Sequence, residues 1–230
     1  MTFRNLFGLL CATGAAGALI GAPAAAAEPA CPDAEVIFAR GTGETPGVGG
    51  VGQAFVDSVR NQAGGRSVGV YPVNYPASGN FNDRLDIVRS VTDGVRDAEA
   101  RIQTMAAACP DTRLILGGYS QGAAVGGFTT APVAPPEVPT DLVPPALPAD
   151  VADNVAAVVL FGLPSEQFLR SYNAPAVQIG PAFTDKTLEL CARGDTICEG
   201  AFGGSPTVAH GLYPFNGQVS EGAAYAVGRI

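Results

Sequence analysis

Residues 114–122 read Leu-Ile-Leu-Gly-Gly-Tyr-Ser-Gln-Gly, and small residues follow from Ala123 to Gly127. A short apolar run breaks at a Gly-x-Ser-x-Gly turn (Gly118, Ser120, Gly122) and continues as a stretch able to start a helix. A strand that turns sharply into a helix belongs to a chain that crosses back over its own sheet, the mark of an α/β fold. A second match, Gly65-Arg-Ser67-Val-Gly69, has the opposite arrangement. Ser67 precedes the apolar run Val68–Val73 and enters a strand, so it reads as a turn residue.

The remaining chain repeats the alternation. Val36–Ala39 is a short apolar run ending in Arg40-Gly41-Thr42-Gly43-Glu44, a strand feeding a tight turn. Val51–Ala63 has Phe55 and Val59 four apart, as on a helix face. Leu85, Val88, Val91, Val95, Ala98, Ile102 and Met105 form one stripe on a long helix that ends near Cys109 and Pro110. Leu114–Leu116 is a strand, Gln121–Thr129 a helix, and Val155–Phe161 a continuous apolar run typical of a strand buried on both faces. Ala176–Ile179 and Leu188–Cys191 are expected as further strands, and Gly222–Val227 as part of a closing helix. Seven prolines between Pro132 and Pro148 exclude regular structure there and predict a surface excursion. The expectation is a mostly parallel sheet with right-handed helical crossovers.

The N-terminus has the pattern of a secretory signal. Arg4 is the only charged side chain before residue 28, Leu6–Ile20 is apolar, and Ala25-Ala26-Ala27 offers a small-residue cleavage site. Residues 1–27 are therefore expected to be a signal peptide that carries Cys11 away, leaving one domain over 28–230. The chain is acidic, with 13 basic against 21 acidic side chains and a net charge of −8. That balance argues against nucleic acid and anionic membrane surfaces as partners. No later apolar run has transmembrane length, and a secreted or cell-envelope-associated monomer is expected.

Cys31, Cys109, Cys191 and Cys198 remain, an even count that reads as two disulfides in an exported chain. Three pairings are possible. Cys191 and Cys198 lie seven apart and close at little cost, which leaves Cys31 for Cys109. In the chain-entropy account the long loop contributes roughly 4–5 kcal/mol and the short one roughly 2–3 kcal/mol. A zinc site is disfavoured, because the chain has one histidine and no Cys-x-x-Cys.

A serine hydroxyl needs a base to become a nucleophile at neutral pH. Ser120 sits where a nucleophile elbow would place it, and His210 is the only histidine in the chain. In such folds the acid falls between the two in sequence. Asp185, Glu189, Asp195 and Glu199 all qualify. Asp195 lies between Cys191 and Cys198, in a loop that a disulfide would hold rigid toward an imidazole. The backbone N–H of Gln121 is one donor to a developing oxyanion, and the glycine-flanked Thr42 is the best second one.

Four segments resemble the cutinase family, in particular its bacterial cutinase-like branch. They are Ala39-Arg40-Gly41-Thr42-Gly43-Glu44, Gly118-Tyr119-Ser120-Gln121-Gly122-Ala123, Gly194-Asp195 between Cys191 and Cys198, and His210-Gly211-Leu212-Tyr213. The resemblance covers about residues 31–230. It implies a compact α/β-hydrolase fold, a three-layer sandwich around a five-stranded parallel core with no large lid. It also implies Ser120 as nucleophile, Asp195 as orienting acid, His210 as base, and Thr42 with Gln121 as oxyanion hole. The family's disulfides would be Cys31–Cys109 and Cys191–Cys198. The implied activity is that of a secreted serine carboxylesterase that uses neither metal nor organic cofactor.

Three substrate classes compete: cutin-like or short to medium acyl esters, lipid or phospholipid esters, and acetylated polysaccharide. Leu163, Phe202 and Leu212 are apolar residues near the expected site, readable as acyl pocket or as core. Sugar-binding grooves commonly use exposed aromatic platforms; the chain has no tryptophan, and tyrosine or phenylalanine would have to serve. The rival class is a non-catalytic surface module that retains the scaffold.

Overall fold

Strand β1 (Ala34–Ala39) is buried at all six positions, and β4 (Val155–Phe161) at all seven. Strands this apolar cannot face water on either side and must be covered above and below. The computed structural model, which describes Met1 and residues 31–144, 146–200 and 205–230, shows how. Five strands lie parallel in the order β2 (Val68–Pro72), β1, β3 (Arg113–Tyr119), β4, β5 (Thr187–Leu190). Residues Cys31–Ile230 form one compact unit.

The period of two along each strand assigns side chains to two cores. Ile37, Leu114, Leu116, Val158 and Leu160 point to one face, where they meet Val95, Ala98 and Ile102 of α2 (Arg84–Ala108) and Ala123 and Val125 of α3 (Gln121–Thr129). Val36, Phe38, Ile115, Val159 and Phe161 point to the other. They pack there on α1 (Gly49–Gln62) through Phe55 and Val59, and on α6 (Gln218–Val227) through Val219 and Ala223. The result is the expected three-layer sandwich. Asp83 caps α2 by accepting from the N–H groups of Leu85 and Asp86, which fixes where the longest helix starts.

A paired charge spans the sheet and α2. Glu35 on β1 is buried and is held by the guanidinium of Arg101 from α2, whose Nε donates to Oε1 at 2.7 Å. A buried carboxylate is tolerated only when paired in this way.

Two short helices, α4 (Ala149–Ala152) and α5 (Glu166–Ser171), lie beyond what the sequence pattern predicted. The closing helix starts four residues earlier than its expected first residue, at Gln218. The strand expected over Ala176–Ile179 is not formed. Pro175 and Pro181 bracket the segment, and its apolar residues serve another purpose. Val177 lies so close to α3 that a Cβ on Gly127 would be 2.3 Å from it, and Ile179 packs on the α2–α3 core. The described part of the proline-rich excursion is irregular, as expected. The expected leader, except Met1, and Phe202 fall outside the described residues.

Both expected disulfides are formed. Cys31–Cys109 joins the start of β1 to the end of α2 across 78 residues, and Cys191–Cys198 closes a loop of seven after β5. Replacing Cys31 and Cys109 together by serine is expected to lower the unfolding free energy by about 4 kcal/mol in urea titration. A change below about 1 kcal/mol would mean that the long tether does little for the native state.

Candidate active site

The chain runs from β1 outward to β2, then returns to place β3 on the other side of β1. Strand order therefore reverses between β1 and β3, and the crevice beyond their carboxyl ends is the natural ligand site of an open parallel sheet. Two of the expected site residues emerge there: Thr42 after β1 and Ser120 after β3.

Ser120 joins β3 to α3 with φ of 57°, one of three non-glycine residues with positive φ among those described. Such a conformation is strained for a residue with a Cβ and persists only when its surroundings enforce it. The flanking glycines do so. A Cβ on Gly122 would sit 2.0 Å from the carbonyl oxygen of Ala39, and one on Gly118 would sit 2.0 Å from that of Gly122. Helix and sheet thus approach more closely than any side chain allows, and the serine is pushed out at the strand tip. Its N–H donates to the carbonyl of Phe161 at 2.9 Å, tying it to β4.

His210 and Asp195 converge on it from the other half of the chain. His210 Nε2 lies 2.9 Å from Ser120 Oγ, and His210 Nδ1 lies 2.9 and 2.8 Å from Asp195 Oδ1 and Oδ2. The histidine is 6% exposed and the aspartate 0%. The other acids that qualified by sequence lie elsewhere: Glu199 accepts from Gly194 N–H, Glu189 is on β5, and Asp185 is in a turn before it.

Asp195 is held from every side. Ile197 N–H donates to Oδ1 at 3.0 Å and the Tyr213 hydroxyl donates to Oδ2 at 2.6 Å. Tyr213 is itself fully buried and accepts from Ala192 N–H. Gly162 gives this cluster its room, because a Cβ there would lie 3.0 Å from the Tyr213 hydroxyl and 3.1 Å from Asp195 Oδ2. Burial pushes the Asp195 carboxyl up, but the hydrogen bonds from His210 and Tyr213 outweigh it, and the group titrates below the ordinary carboxylate range. Burial and the neighbouring Asp195 push the Tyr213 hydroxyl well up, so it stays protonated as a donor. Sequence reasoning assigned Tyr213 no part in orienting the acid. Only its place in the His-Gly-Leu-Tyr string hinted at it.

The turn after β1 is held as firmly. Glu44 accepts from Gly41 and Gly50 N–H at 2.6 and 2.8 Å, and Arg40 donates to the carbonyls of Glu44 and Tyr75. The backbone N–H groups of Thr42 and Gln121 donate to no other backbone group among the described residues. The Gln121 side chain is pinned sideways, donating to the Ser78 carbonyl and accepting from Ser90 Oγ. Thr42, Ser120, Gln121 and His210 all line one cavity of about 570 Å³.

That cavity is mostly apolar, with Val88, Val91 and Val95 of α2 on one side and Val133, Pro135 and Val138 of the proline-rich excursion on another. The excursion is thus a wall of the site without being a helical lid. Leu163 and Leu212, read from sequence as acyl pocket or core, do not line it. Leu163 packs on the α2–α3 core and Leu212 is exposed.

Tyr213→Phe removes one donor to the Asp195 carboxylate. A lost hydrogen bond to a charged group corresponds to roughly a tenfold to hundredfold fall in any rate that depends on Asp195 orientation. The pH dependence follows from the lowered carboxyl. Its contribution to stability is complete above about pH 4 and is lost as pH falls through the lower folded value. Without Tyr213 the folded value rises toward the unfolded one and the contribution shrinks, so the acid-unfolding midpoint of the variant is expected to rise. An unchanged midpoint would mean that the hydroxyl does not support the charge.

Comparison with known proteins agrees with this geometry. The family profile described as cutinase matches residues 30–230. Probable carboxylesterase Culp7 of Mycobacterium tuberculosis is 55% identical over 170 residues, 74% of this chain and 89% of the relative. Phospholipase Culp4 of the same organism is 46% identical over 230 residues, 99% of this chain and 92% of the relative. The structure of Trichoderma reesei cutinase in complex with a C11Y4 phosphonate inhibitor superposes with a TM-score of 0.62 at 31% identity, covering 86% of this chain and 76% of that one. The chain belongs to the cutinase family.

Proposed function

We propose that this protein is a serine carboxylesterase that cleaves acyl esters through an acyl-enzyme on Ser120. The observation that carries the reading is the unbroken hydrogen-bonded series Ser120–His210–Asp195 opening onto an apolar cavity. Ser120 Oγ attacks the ester carbonyl as His210 Nε2 takes its proton, and Asp195 holds the opposite ring nitrogen in register. Negative charge developing on the carbonyl oxygen is met by the N–H groups of Gln121 and Thr42. His210 then passes the proton to the departing alcohol. A water, deprotonated by the same imidazole, attacks the acyl-enzyme, releasing the acid and restoring Ser120.

The apolar lining favours short to medium acyl chains over acetylated polysaccharide. A phospholipid substrate is the second reading. Culp4 is named a phospholipase, and Val208 and Phe215, exposed at 80% and 82%, flank the His210 turn where a lipid surface could approach. The leader pattern and the two disulfides support export to an oxidising compartment.

Nitrophenyl butyrate hydrolysis tests the chemistry. Ser120→Ala and His210→Ala are each expected to lower kcat by about four to six orders of magnitude. Ser120→Ala leaves the thermal midpoint nearly unchanged, whereas His210→Ala lowers it because the buried Asp195 carboxylate loses a partner. Wild-type turnover in Ser120→Ala would overturn the assignment. Dispersed phosphatidylcholine assayed beside the butyrate ester separates the two substrate readings.

A further inference from the structure

The cavity beside Ser120 ends on a feature that ester cleavage does not use. Along α2 the lining residues Ile87, Val88, Val91, Thr92, Val95 and Glu99 follow helical spacing, so the site runs down one stripe of this helix. Ser90, which donates to the Gln121 side chain, marks the level of the serine. Glu99 lies nine residues further on, about 14 Å along the axis. It is 4% exposed, and its carboxylate takes part in none of the hydrogen bonds or ion pairs among the described residues. No fully enclosed side-chain nitrogen or oxygen lacks a partner among those residues. The Glu99 oxygens therefore open onto the cavity and are not sealed in the core. Valines precede Glu99 along the stripe, and Pro144 and Ala146 of the proline-rich excursion line the same cavity.

A carboxyl in such a place costs stability unless something hydrogen-bonds to it. Burial raises it to about 8 against the pull of Arg96, so near neutral pH it is largely protonated and both donates and accepts. The opposite end of the cavity is lined by Phe81 and Tyr172, exposed at 45% and 38%. That open end suits the alcohol, which leaves first. The walled end suits the acyl chain, which stays bound through the acyl-enzyme.

Building on the esterase reading above, we propose that Glu99 is a specificity residue: it selects acyl chains that carry a hydrogen-bonding group, such as a hydroxyl, at their far end over equally long chains ending in methyl. A methyl end would strip water from the carboxyl and return nothing. A hydroxyl end replaces that water with a direct bond. Discrimination by such a buried polar group is about tenfold or more.

The test compares kcat/KM for nitrophenyl decanoate and nitrophenyl ω-hydroxydecanoate, with nitrophenyl butyrate as a chain too short to reach Glu99. The wild-type protein is expected to favour the hydroxyl-ended ester about tenfold. Glu99→Gln, which can still donate and accept, keeps most of that preference. Glu99→Met, similar in volume and apolar, reverses it by raising turnover of the plain decanoate relative to butyrate measured in the same variant. Equal rates on the two long esters in the wild-type protein, or an unaltered ratio in Glu99→Met, would overturn the proposal while butyrate hydrolysis left the esterase reading intact. No hydrolysis of butyrate by the wild-type protein would overturn the esterase reading itself.

Discussion

Everything at the site depends on how closely α3 packs against the carboxyl ends of β1 and β3. Gly122 lies against the carbonyl of Ala39, and Gly118 lies against that of Gly122, each at a distance that forbids a Cβ. The contact forces the turn at Ser120 into positive φ and lifts its hydroxyl out of the sheet. The same turn leaves the Gln121 N–H, at the start of α3, without a backbone acceptor among the described residues. Core packing thus supplies the position of the hydroxyl and of the Gln121 N–H that follows it. The strain of the turn is balanced by the two-sided core that holds β1, β3 and β4 in place.

The imidazole is positioned by a separate and equally rigid device. Asp195 sits in a loop closed by Cys191–Cys198, with Ile197 N–H and the Tyr213 hydroxyl aimed at its oxygens. Tyr119, the residue before the serine, donates to the carbonyl of His210 at 2.7 Å and stacks near its ring. Serine and histidine are therefore cross-braced by a side chain from the strand that carries the serine. A site built this way needs little reorganisation when charge develops, which is the main source of catalysis in acyl transfer.

Much of this was legible in the sequence, for identifiable reasons. A lone histidine leaves no choice of base, and a carboxylate between two nearby cysteines is a marked residue. Strands buried on both faces advertise themselves as unbroken apolar runs, which is why β1, β3 and β4 were placed from Val36, Leu114 and Val155. Ala176–Ile179 misled because an apolar run covering a helix looks like one that pairs in a sheet. Tyr213 and Glu99 escaped for a different reason. Each acts through a contact with a distant segment, and neither interrupts a local pattern. Glu99 falls between apolar positions of the α2 stripe and reads there as a solvated residue. It is buried because the proline-rich excursion and α3 add walls on either side of that helix.

The central claim is that Ser120 is activated by His210. Labelling the purified protein with a fluorophosphonate, followed by intact mass and peptide mapping, tests it without assuming any substrate. One adduct, on the peptide containing Ser120 and lost in His210→Ala, is the predicted result. An undecorated protein with both disulfides intact, or an adduct on another serine, would contradict it.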